Sequence, residues 1–195
     1  MNLKRKGATL ILATTLATSF AMGDDTYKGL AGLEIGSTES TYEYHDNKID
    51  TNNVACYGMR AGIANNRSRI YGSFHYMKDD GSGDNYSFDY KQYDLVLNLE
   101  AQTDAFNVLD KFNVRGFVGA HIGAVYAKFK YSDSFIHIND DQTGVAYGAQ
   151  GGAIFNFNNN FDLEAGYRYT WSSLDFQGVD LDHYDNIYAA VNIHF

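Results

Sequence analysis

The sequence contains no proline and a single cysteine, Cys56, in 195 residues. It has one continuous apolar run, at 8–22. Each shortage excludes something. Without proline, nothing in the chain forces a break in a backbone hydrogen-bond ladder, which suits a sheet-dominated protein. One cysteine excludes an internal disulfide framework, so Cys56 reads as a small buried residue, with a reactive thiol as the other reading. One short apolar run excludes a bundle of membrane-spanning helices.

Basic residues are also scarce: 15 Lys+Arg stand against 24 Asp+Glu. Lys4, Arg5 and Lys6 precede the apolar stretch ATLILATTLATSFAM, and small residues close it. This is the pattern of a secretory signal, with Ser19/Ala21 or Ala21/Gly23 at the −3/−1 positions of a cleavage site. The expected division is a signal peptide at 1–23 and one domain at 24–195. The other reading, a retained anchor, needs a longer apolar run. No cysteine follows the run to accept a lipid. All acidic residues lie beyond 23, so cleavage leaves 12 basic against 24 acidic residues, a net charge of −12. That argues against nucleic acid or anionic lipid as an electrostatic partner.

What is abundant is aromatic and small: 16 Tyr, 13 Phe and 19 Gly. With a mean hydropathy of −0.36, the apolar residues must alternate with polar ones. Period-two alternation, the mark of strands, appears in eight segments, at about 28–38, 53–63, 68–78, 86–100, 113–129, 144–157, 161–171 and 185–195. In the seventh, Phe161, Leu163, Ala165, Tyr167, Tyr169 and Trp171 alternate with Asp162, Glu164, Gly166, Arg168 and Thr170. Polar loops are expected at 39–52, 78–85, 131–142 and 172–183, and short turns at 64–67 and 158–160. The stretch 101–112 reads as a longer connection with room for one helical turn. Long and short connections alternate, as in outer-membrane barrels with extracellular loops and periplasmic turns. The expected fold is all-β: an up-and-down antiparallel transmembrane barrel of about eight strands. An exported soluble β-sandwich is the competing fold.

The segments RGFVGAHIGAVYAKF (115–129), VAYGAQGGAIFNFNNNFDLEAGYRYTW (145–171) and NIYAAVNIHF (186–195) resemble the OmpA-like and OmpX-like eight-stranded outer-membrane barrels, across essentially the whole exported chain. The resemblance implies a location in the bacterial outer membrane, among lipid and lipopolysaccharide. It also implies contact with periplasmic chaperones and the barrel-assembly machinery during biogenesis. Val191, Ile193 and Phe195 match the C-terminal signal that this machinery reads. Some relatives carry a peptidoglycan-binding domain after the barrel; the sequence ends at Phe195, and none is expected.

The polar faces carry Glu34, Arg60, Arg69, His75, Asp94, Glu100, Arg115, His121, Glu164 and Arg168. Charges in a narrow barrel must be paired, and eight strands leave an interior that side chains can fill. This set reads as a structural polar network, or as a narrow gated ion path in which Arg and Glu exchange partners. Catalysis is not expected. No His-x-Ser motif of the lipid A deacylase type occurs, and His75 with Asp79 or Asp80 only loosely imitates the acyltransferase arrangement. No cofactor or metal is expected; DDGSGDN at 79–85 lacks the spacing of a calcium loop. The function expected is a structural, porin-like barrel. The alternative is an adhesin or host-ligand receptor acting through the outer loops on an unidentified ligand.

Overall fold

The computed structural model describes residues 27–44, 47–50, 53–82, 86–109, 112–133, 137–158, 160–176 and 179–195. The expected signal peptide lies outside them. Eight long strands form the wall: β1 (Lys28–Tyr44), β3 (Val54–Ala64), β4 (Ser68–Ser82), β5 (Tyr86–Gln102), β7 (Phe112–Asp133), β8 (His137–Asn158), β9 (Phe161–Phe176) and β10 (Val179–His194). Each pairs antiparallel with the next, and β10 closes on β1 from Leu30↔His194 to Glu43↔Asp180. Closure removes the sheet edges that lipid would leave unsatisfied.

Two short strands complete the sheet. β2 (Asn47–Asp50) folds back on the end of β1, and β6 (Phe106–Leu109) on the start of β7. The β6 pairing corrects the expected helical turn at 101–112. Thr103 fixes this connection: its amide donates to the Gly116 carbonyl at 2.9 Å, and its Oγ1 accepts from the Gly116 amide at 2.9 Å. The short turns use asparagine. Asn65 Oδ1 accepts from the Arg67 and Ser68 amides at 2.9 and 2.7 Å, and Asn158 Oδ1 from the Asn160 amide at 2.9 Å. Such side-chain caps replace backbone turn bonds.

The stretches expected as long loops are mostly strand. β7 and β8 each run 22 residues, about twice the 9–11 that cross a bilayer. β4 continues to Ser82 and β9 to Phe176. Outside lipid the outer face of a hairpin also meets water, so the alternation fades while the ladder persists. With no proline to interrupt it, the ladder runs on toward the tips. Extension also separates Asp79 from Asp80, since successive strand side chains face opposite ways; the remainder of DDGSGDN lies largely outside the described residues.

The faces are inverted relative to a soluble protein. Outward residues such as Leu33 (69% exposed), Leu95 (65%) and Ile187 (68%) are bare, while Arg69 and Glu164 are buried at 2% and 1%. No helix among the described residues is long and apolar enough to cross a membrane; the strands present the apolar belt.

Candidate functional site

Strand parity builds the interior. Glu34 of β1, Arg60 of β3, Arg69 of β4, and Glu164 and Arg168 of β9 all point inward and meet. Arg60 spans two carboxylates: Nη1 donates to Glu164 Oε1 at 2.8 Å and Nη2 to Glu34 Oε2 at 2.5 Å. Arg69 does likewise, with Nη1 to Glu164 Oε2 at 2.6 Å and Nη2 to Asp162 Oδ2 at 2.7 Å. Arg168 grips Glu34 through Nη1 at 2.8 Å and Nη2 at 3.2 Å, and its Nε donates to Gln150 Oε1 at 2.8 Å. The result is an unbroken chain, Asp162–Arg69–Glu164–Arg60–Glu34–Arg168. Charge-assisted bonds of this length are the strong kind, and each carboxylate is divided between donors.

Tyrosines insert into the chain. The Tyr188 hydroxyl donates to Glu164 Oε1 at 3.0 Å, and its ring lies 4.6 Å from the Arg168 guanidinium carbon and 5.5 Å from that of Arg60. Tyr188 lies over Gly166, its register partner: a Cβ there would sit 2.6 Å from Tyr188 Cζ. Glu100 joins indirectly, accepting from the Tyr71 hydroxyl at 2.5 Å and Gln150 Nε2 at 2.7 Å.

Of the other expected residues, Asp94 and His121 bond groups outside the chain. Asp94 accepts from Gln92 and the Tyr184 hydroxyl at 2.9 and 2.8 Å. His121 Nε2 lies 3.1 Å from Thr170 Oγ1. His75 touches the chain, its Nε2 3.0 Å from Arg168 Nη1. Arg115 has inward parity but sits half-buried at the strand end, with Nη2 3.1 Å from Asn66 Oδ1.

Six residues complete the network beyond those expected: Asp162, Tyr71, Tyr188, Gln150, Asn192 and His194. Asn192 Nδ2 and His194 Nε2 lie 2.7 and 2.6 Å from the two Asp162 oxygens. All six have inward parity on their strands. Large apolar residues also lie inside, where the expected face was polar. Toward the hairpins, Cys56, Met77, Val96, Val125, Leu174 and Leu181 form a buried cluster with Tyr90 and Tyr184. Between this cluster and the ion chain lies a cavity of about 10 Å³, lined in part by His75, Asp94 and Arg168, the threshold for one water. Val191, Ile193 and Phe195 face outward. The Phe195 backbone exchanges bonds of 3.0 and 2.7 Å with Gly29, and its ring occupies the space a side chain at Gly29 would need.

The fold has close counterparts. Neisserial surface protein A superposes with a TM-score of 0.63 at 18% identity, covering 86% of this chain and 97% of that one. Ail of Yersinia pestis gives 0.55 at 20%, covering 86% and 99%. OprH of Pseudomonas aeruginosa gives 0.52 at 22%, with the same coverage. At these identities the likeness shows the fold. No curated protein matches the chain. The sequence itself matches the outer membrane protein beta-barrel domain over residues 8–195, so the closed eight-stranded wall and the family assignment agree: the chain belongs to the outer membrane protein beta-barrel domain family and resides in the bacterial outer membrane.

Proposed function

We propose that this protein is a structural barrel of the outer membrane whose lumen is shut, with its working surface on the hairpins and outer wall. The carrying observation is the Asp162-to-Arg168 ion chain capped by an apolar layer. A water-filled pore needs polar walls with space between them, whereas these arginines reach from strand to strand and each bonds groups on other strands. Partner exchange among Glu34, Glu164 and the arginines would be the route to a narrow gated path. It would have to break several charge-assisted bonds together, at a few kcal/mol each. The histidines serve packing and hydrogen bonding in this reading, and the interior is not catalytic. Val191, Ile193 and Phe195 form the outward row offered to the assembly machinery. The test is conductance of the refolded protein in a planar bilayer. No unitary openings are expected; regular steps would overturn the sealed reading.

A second reading rests on the hairpins. Strands about twice the length needed to cross lipid hold the β7–β8 hairpin well beyond it, as a contact surface would require. Ail, a similar fold, is an attachment invasion locus protein, also solved with the heparin analogue sucrose octasulfate. Matrix-binding assays with shortened hairpins test this; binding that persists unchanged would sink it.

A further inference from the structure

Along the outer face of β4, β5, β7 and β8, lysines match Asp80, Asp89 and Asp141. Lys78 pairs with Asp80 at 2.8 Å and Lys91 with Asp89 at 3.3 Å, while Lys128 stands opposite Asp141. All share outward parity with the row Tyr76↔Tyr93↔Tyr126, and tyrosine marks the boundary between lipid and water. One residue nearer the tips than Lys78↔Lys91, on the opposite face, runs the row Asp79↔Tyr90↔Phe129↔Asp140. Its parity is that of the buried Met77, Gln92 and Ala127, so it faces the mouth of the barrel on the aqueous side. The row reads acid, aromatic, aromatic, acid over three strand spacings, about 14 Å.

The aromatic pair forms a floor. The Tyr90 hydroxyl donates to Gln92 Oε1 at 2.6 Å, so its ring leans toward the waist, and Phe129 packs on the apolar cluster. The Phe88 ring leans across Gly81, where a Cβ would collide with it, next to Asp79 on the same face. Asp79 and Asp140 flank this floor, both half-buried. Asp140 Oδ1 accepts a long bond of 3.5 Å from Gln142 Nε2, and its Oδ2 is shielded from solvent with no donor beside it. Among the described residues neither acid meets a cation, and beyond the tyrosine row β4, β5, β7 and β8 carry no lysine or arginine of inward parity. Carboxylates held against apolar surface without a cation are costly. Aromatic faces attract ammonium and guanidinium groups, and the net charge of −12 on the exported chain draws the same class of partner from a distance.

We infer that the mouth-facing side of the β4–β5 and β7–β8 hairpins is a docking site for a basic peptide segment of a partner protein. One lysine or arginine sits at Asp79 and another at Asp140, with an apolar or aromatic side chain on the Tyr90–Phe129 floor between them. This rests on the hairpin-contact reading above and names the class of partner it takes. The floor favours a peptide over a simple polyamine, because a peptide sets a side chain on it while a polyamine offers a bare methylene chain.

The test refolds the full exported chain into phosphatidylcholine nanodiscs and follows a fluorescein-labelled peptide, Lys-Ala-Phe-Ala-Lys, by anisotropy. Its counterpart Glu-Ala-Phe-Ala-Glu is the charge control, and spermidine is a competitor. The wild type should bind the basic peptide and not the acidic one. D79N/D140N should weaken binding about tenfold, the loss of two partly exposed ion pairs. F129L keeps an apolar floor without a ring face and should weaken it about threefold. D80N/D89N removes the same charge from the outer face and should bind as the wild type does. Three results would overturn the inference: unchanged affinity in D79N/D140N, an equal loss in D80N/D89N, or competition by spermidine as strong as by unlabelled peptide. The last would assign the face to a small polycation. Heat-dependent gel mobility checks that each variant folds. Matrix adhesion separates the inference from the reading beneath it. Hairpin-dependent adhesion that D79N/D140N leaves intact sinks the inference alone, whereas adhesion indifferent to shortened hairpins sinks the hairpin reading.

Discussion

Replacing Glu164 by glutamine measures whether the lumen is dry. Glu164 accepts from Arg60 at 2.8 Å, Arg69 at 2.6 Å and the Tyr188 hydroxyl at 3.0 Å. Glutamine keeps the shape but removes the charge, and its amide nitrogen faces a donor where an acceptor stood. Breaking a buried ion pair by removing one partner costs about 3–5 kcal/mol. Arg60 keeps Glu34 and Arg69 keeps Asp162, which places the loss near the lower end, about 3 kcal/mol. The same pair in a wet channel would be worth about 0.2–1 kcal/mol. Urea unfolding of the refolded barrel in lipid vesicles separates the two cases. With a slope of about 2 kcal/mol per molar, the midpoint of E164Q should fall by about 1.5 M. The fall should be nearly the same in low and high salt, because screening hardly reaches a buried pair. A shift below about 0.5 M that shrinks further with salt would refute the reasoning and reopen the channel reading.

Gly166→Ala places a Cβ against the Tyr188 ring and should push that ring off Glu164 and Arg168. A loss of about 1–3 kcal/mol is expected, read as a lower urea midpoint; an unchanged midpoint would mean the ring has room to move. Cys56 is 3% exposed, so a maleimide should label it only after unfolding. Rapid labelling of the folded barrel would show that the apolar layer admits solvent. Phe195→Ala empties the space beside Gly29 and removes the terminal aromatic of the outward row. The expected result is a lower yield of heat-modifiable barrel in cells, and a normal yield would remove Phe195 from the assembly signal.

Strand parity made most of the interior legible. Once Phe161, Leu163 and Ala165 are placed outward, Asp162, Glu164 and Arg168 must point inward, and the same logic fixes Glu34 and Arg60. Parity gives direction but not height. It could not tell that Arg115 ends at the rim beside Asn66 while Arg69 reaches the centre, nor that Asp94 and His121 take neutral partners. Asp162 was passed over because it follows an asparagine turn, where a carboxylate ordinarily faces water. Tyr71 and Tyr188 fall on the polar faces by parity, but a tyrosine carries no charge to mark it as part of an ion network. The hairpin extensions left little signal, since beyond the lipid the outer face turns polar while Leu174 and Leu181 stay buried within.

The distribution of charge follows from the two surfaces of one wall. Inside, each arginine is flanked by carboxylates, and the interior excess of acid is held by tyrosine, asparagine and glutamine donors. Outside, within the lipid-facing rows, no charge is tolerated. Charge reappears where the aromatic row ends, with Lys78, Lys91 and Lys128 beside Asp80, Asp89 and Asp141 on one side and Glu39 against Asp185 on the other. In the proposed reading a paired interior offers no free charge to a ligand, which leaves the outer wall and the hairpins as the surface that would meet one. On that reading the lumen supplies the rigidity that holds the rows of the outer wall in register.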